Sequence, residues 1–99
     1  MNELMRQAQR MQRKIDERKA QLKDEEVTAV TAGERIRCVA TCEGKIRSVW
    51  VDPEFLKEEG LEMTLDAIVA AANSALDEAD KKVEAELNKI TNGMKIPGM

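Results

Sequence analysis

A long amphipathic run near the C-terminal end constrains this chain most. Leu65, Val69, Ala72, Leu76, Ala79, Val83, Leu87 and Ile90 recur at steps of three and four, the spacing of one helical face. The run predicts a helix over about 64–91, stopped by Asn92-Gly93. At 1.5 Å per residue such a helix is about 42 Å long. Ahead of it lie three short β-branched runs, Val27 to Thr31, Arg35 to Cys42 and Lys45 to Val51, separated by turns at Gly33-Glu34 and Glu43-Gly44. They predict a three-stranded antiparallel meander over about 27–51. Strands of that length span only about 20–27 Å, so the helix must overhang its own sheet. The overhanging stripe needs cover from an N-terminal helix or from another chain. A three-stranded sheet also leaves a bare edge and an open face. Both features predict a homodimer; the plain alternative is a compact monomer with both helices flat on one face.

The remaining elements fill in around this frame. Leu4, Ala8, Met11, Ile15 and Leu22 form a heptad-like seam with Arg18 in the missing slot, which predicts an N-terminal helix over about 2–24. Asp52-Pro53 reads as an N-cap followed by proline at the first helical position, opening a short helical turn over 53–58 that ends near Glu58-Glu59-Gly60. The alternation of strand three slips between Ile46 and Val49, and the odd interval admits a bulge there. Residues 93–99 read as a non-helical tail. The fold class is therefore α+β, an α-β-β-β-α protomer forming one domain over residues 1–99.

Composition narrows the chemistry. The 99 residues contain no His and no Tyr, one Trp and one Phe. Without histidine the commonest general base and metal ligand are both missing. No glycine-rich loop, nucleophile elbow or paired base is present, so neither an enzyme nor a small-molecule substrate is expected. No cofactor is expected either. Asp66, Asp77, Glu78 and Asp80 fit no calcium loop and read as a solvated helix face. Cys38 and Cys42 lack CxxC spacing and read as small packed residues rather than metal ligands. If both lay on one strand they would sit about 13 Å apart, too far to bond each other. The start shows no secretory signal and the longest apolar run, Ile68 to Ala72, is too short to span a bilayer. A reduced cytoplasm is the expected setting.

The net charge of −3 hides a segregation. Residues 1–23 hold seven positive and three negative groups, whereas residues 52–99 hold five positive and eleven negative. Arg6, Arg10 and Arg13 stand at i, i+4 and i+7 with Lys14 beside them, on a face turned away from the apolar seam. Such a row can reach successive phosphates of a nucleic acid, mostly through backbone contact with little direct base reading. The bland reading is the solvated face of an amphipathic helix. Arg35, Arg37 and Arg47 form a weaker second candidate, read first as charges that keep a sheet face soluble. Trp50 could stack on a base, but a core or dimer-interface role is the better reading.

Three stretches together resemble the YbaB/EbfC family of bacterial nucleoid-associated proteins. They are Leu4-Met5-Arg6-Gln7-Ala8-Gln9-Arg10-Met11-Gln12, the run from Glu43-Gly44-Lys45 through Val51-Asp52-Pro53-Glu54-Phe55-Leu56, and Ala70-Ala71-Ala72-Asn73-Ser74-Ala75 leading to Gly93-Met94-Lys95-Ile96-Pro97-Gly98-Met99. The chain departs from that family in having one glycine in Thr31-Ala32-Gly33-Glu34, Cys42 where a second glycine often stands, and an acidic C-terminal helix. The resemblance implies an α-β-β-β-α protomer, a homodimer built through the sheet region with projecting helices, DNA binding, and a nucleoid-shaping or gene-regulating role in the cytoplasm. It places the DNA-binding residues at Arg6, Arg10, Arg13 and Lys14. The competing functional reading is a protein–protein interaction module that uses the helical seams and binds little or no DNA.

Overall fold

The computed structural model describes residues 2–93. The order is α1 (Asn2–Leu22), β1 (Glu26–Thr31), β2 (Ile36–Thr41), β3 (Ile46–Val51) and α2 (Pro53–Gly93). The three strands form one antiparallel sheet in the order β1-β2-β3. The α-β-β-β-α reading therefore holds; Gly93, expected to open a non-helical tail over 93–99, is instead the last residue of α2, and the rest of that tail lies outside the described residues.

Tight turns dictate the meander. Ala32, Gly33 and Glu34 all take left-handed backbone angles between β1 and β2. Gly44 does so between β2 and β3, with its N–H donating to the Thr41 carbonyl at 2.9 Å. On β3 the pairing skips Arg47, because Val39 faces Ser48 while Ala40 faces Ile46. That extra residue is the bulge anticipated from the slipped alternation.

Asp52 caps α2 as its sequence context requires. Its Oδ1 accepts the Glu54 N–H at 3.0 Å, and its carbonyl accepts from Phe55 and Leu56. The helix is broken once. Gly60 sits at φ 85°, ψ 171°, a region almost closed to residues with a Cβ. Helical structure resumes at Leu61, earlier than the Thr64 expected, and Thr64 is buried with its hydroxyl donating to the Gly60 carbonyl at 2.7 Å. A Cβ built at Gly60 meets nothing within 4 Å, so Gly60→Ala suffers through the backbone alone. Its expected cost is about 1–3 kcal/mol, a fall in melting temperature of roughly 5–20 °C, checked by a thermal melt.

The core lies where α2 crosses β1 and β2. Ala71, Ala75 and Ala79 are buried at steps of four; Ala71 and Ala75 share a core with Ala29, Ile36, Cys38, Ala40 and the single phenylalanine, Phe55. The Thr31 hydroxyl donates to the Ala67 carbonyl at 3.0 Å, pinning the end of β1 to the helix. This corrects the expected stripe. Leu65 and Val69 are 51% and 59% exposed, because small residues let the helix approach the sheet and turn the larger ones aside. Ala72, Leu76, Val83, Leu87 and Ile90 are half-buried. Cys38 is in the core, whereas Cys42 lies beyond the end of β2, half-buried; both thiols are free and burial raises the pKa of each.

Beyond the sheet, α1 and the far half of α2 run side by side as an antiparallel pair. Met11, Ile15, Arg18 and Leu22 are its less exposed positions on α1, so the predicted seam forms from Met11 onward while Leu4 and Ala8 remain exposed. The molecule measures 65 × 23 × 16 Å. That shape excludes the compact arrangement with both helices flat on one sheet face.

Candidate nucleic-acid interface

Why α1 is a helix also explains what it displays. Its non-seam positions are mostly Gln, Arg, Lys and Glu, all good helix formers. Four of these cations, Arg6, Arg10, Arg13 and Lys14, are exposed and share one face. At 100° per residue that face stands roughly 120° around the helix from the seam. None of the four makes an ion pair among the described residues.

Most cations elsewhere are neutralised. Arg18 meets Glu86 at 3.0 Å, and Lys82 meets Glu25 at 3.6 Å. Arg35 binds Asp52 at 3.1 Å and Glu58 at 2.9 Å. Those contacts raise the Arg35 pKa, Glu58 contributing most. The Glu54 backbone N–H first, then Arg35, holds the Asp52 carboxyl below its usual range. Arg47 reaches Glu26 at 3.2 Å and Asp24 at 4.0 Å. Lys19 and Lys23 carry no ion pair among the described residues, but they lie on the other flank of the seam and do not extend the row.

The second candidate set therefore dissolves into local structure. Arg35 precedes β2 and turns toward the start of α2, its guanidinium 5.4 Å from the Phe55 ring centre. Arg37 instead covers Trp50, 5.2 Å from the ring centre. Arg35 thus lies outside β2 and does not join Arg37 on a sheet face. Arg37 also pairs in register with both Val30 and Trp50, making a cross-strand row on the sheet face opposite α2. Trp50 is 47% exposed and Val30 44%, so the tryptophan is not a core residue of the protomer. The whole of β3 is exposed or half-buried.

The arrangement is a projecting helix whose outer face carries four unneutralised cations, attached to a body whose other charges are largely paired or acidic. A family model described as the YbaB/EbfC DNA-binding family matches residues 1–94. The chain belongs to the YbaB/EbfC DNA-binding family. It is similar to proteins named nucleoid-associated protein in several bacteria. The one from Acetivibrio thermocellus is 40% identical over 100 residues, spanning 100% of this chain and 88% of the relative. That of Myxococcus xanthus is 39% identical over 99 residues, spanning 100% and 94%. The Clostridium kluyveri protein is 36% identical over 99 residues, spanning 100% and 87%.

A YbaB/EbfC member is a DNA-binding protein and not an enzyme, as the missing catalytic constellation led one to expect. The matched span includes α1 with its whole cationic row. Among the described residues no helix of this YbaB/EbfC chain is long and apolar enough to cross a membrane.

Proposed function

We propose that this chain is a nucleoid-associated protein of the cytoplasm that binds DNA as a homodimer, with a role in nucleoid organisation or gene regulation. Contact is mainly with phosphates, through Arg6, Arg10, Arg13 and Lys14. One observation carries the reading: in a chain of net charge −3, these four cations stand exposed and without an ion pair among the described residues. Phosphate oxygens are the partners such a row fits, because each contact releases condensed counterions from DNA. The relatives' names and the family support DNA as the ligand.

Dimerisation through the sheet region is supported by what the protomer leaves uncovered. Ile46, Val49 and Trp50 of β3 and Val30 of β1 are large apolar residues exposed to water, and an edge strand of this kind invites another chain. Pairing doubles the row to eight cations. Light scattering of the 11.1 kDa chain would then give about twice the protomer mass.

The test of DNA binding is an electrophoretic titration at two salt concentrations. Eight phosphate contacts predict an affinity loss on the order of 10⁴-fold between 50 and 200 mM salt. Binding that is indifferent to salt would exclude a phosphate-based mode. The exposed residues Leu61, Leu65 and Val69 on α2 favour the protein-interaction module as a second reading. A stoichiometric protein partner, retained after nuclease treatment and without DNA affinity in the pure chain, would establish it instead.

A further inference from the structure

The seam between α1 and α2 is mostly apolar, with one charged cluster across it. Arg18 Nη2 donates to Glu86 Oε2 at 3.0 Å, and Lys89 Nζ donates to Glu86 Oε1 at 3.3 Å. Arg18 Nη1 also donates to Gln21 Oε1 at 3.0 Å. Both oxygens of one carboxylate are thus engaged, and one of them ties α2 to α1. The remaining seam positions on α1, Met11, Ile15 and Leu22, follow a heptad-like spacing. A seam of flexible apolar side chains tolerates sliding, since a shift of one turn or one heptad exchanges one apolar contact for another. The Arg18–Glu86 pair does not tolerate it. A slide of one turn, about 5.4 Å, would separate the two charges and leave the partly buried carboxylate without its guanidinium.

We propose that Glu86 is a positioning residue for the DNA-binding arm: through Arg18 it fixes the register and angle of α1 on α2, and so the place of the cationic row. The proposal rests on the DNA-binding reading and deepens it. Arg18 lies four residues from Lys14 and twelve from Arg6, so the row spans about 6–18 Å beyond the clamp at 1.5 Å per residue. A pivot of only about 11° at the clamp would move Arg6 by about 3.4 Å, the axial step between phosphates on one strand. Small play at Glu86 is therefore enough to put the outermost cation out of step with its phosphate. Engagement by Arg18 first and Lys89 second also lowers the pKa of the Glu86 carboxyl.

Glu86→Gln separates this role from electrostatics, because the two predict opposite signs. Removing a carboxylate makes the protein less negative, which alone would strengthen binding to a polyanion. Loss of positioning instead weakens it, by about three- to thirtyfold, in a titration of the full chain against linear duplex DNA. Amide hydrogen exchange over residues 2–17 should quicken while the helical circular dichroism holds. The double variant Arg18→Glu with Glu86→Arg, which keeps the net charge and reverses the pair, should bring exchange back to the original rate. DNA affinity equal to or above that of the unaltered chain in Glu86→Gln would overturn the positioning role. Should the unaltered chain itself fail to bind DNA, unchanged exchange over residues 2–17 in Glu86→Gln would overturn the clamp independently.

Discussion

Replacing Arg6, Arg10, Arg13 and Lys14 together by Gln is expected to collapse DNA binding while leaving the fold intact. All four side chains are exposed and none has an ion-pair partner among the described residues, so their removal takes away no contact the protomer uses. Glutamine keeps the helix propensity of the positions, and circular dichroism should hold. The loss appears in the ligand. Each phosphate contact contributes about 0.9 to the slope of log affinity against log salt, so four lost cations lower that slope by about 3–4 for each arm engaged. At 0.1 M salt the affinity should fall by at least about a hundredfold. The matched control is Lys57→Gln with Lys81→Gln, which removes cations from the acidic helix. If the control variant lost as much affinity as the quadruple one, the row on α1 would not be the contact surface.

The second large effect lies in the core. Ala75 is 0% exposed, one helical turn from Ala71 and one from Ala79, in the cluster that includes Cys38 and Ala40. Ala75→Leu adds three carbons where helix and sheet already touch. Interiors are packed about as densely as organic crystals, so the helix must lift or the side chain must leave its rotamer, at a cost of about 2–3 kcal/mol. The melting temperature should drop by roughly 10–20 °C. Ala70→Leu, on the exposed side of the same turn, should shift stability by no more than about 0.5 kcal/mol. A tolerated Ala75→Leu would mean that α2 does not seat on the sheet through its alanines.

Local chemistry made much of this fold legible. Asp52-Pro53 marked the start of α2, the glycines marked the tight turns, and the odd interval from Ile46 to Val49 located the bulge at Arg47. Even the misfit of Arg18 in an apolar seam was visible, although its partner was not, since Glu86 lies 68 residues away. What stayed hidden depended on distance between elements. The apolar pattern of α2 contains more than one line of residues at steps of three and four. The line that meets the sheet is chosen by side-chain volume, so Ala71 and Ala75 went inside while Leu65 and Val69 did not. Arg35 did not join Arg37 on a sheet face because Glu58 waited on the following helix. The cationic row was readable from spacing alone. Its freedom from carboxylates depended on where the acidic residues of α2 came to rest.

The row formed by Val30, Arg37 and Trp50 has a practical consequence. The chain contains one tryptophan and no tyrosine, so its near-ultraviolet emission comes from a single indole, half exposed on the sheet face away from α2. The native polypeptide therefore carries a built-in optical reporter, free of any attached dye, for whatever comes to cover that surface. Exclusion of water from the indole shifts its emission toward the blue. A dilution series followed at one wavelength reads occupancy of the sheet face, while events confined to the distant arm leave that signal unmoved.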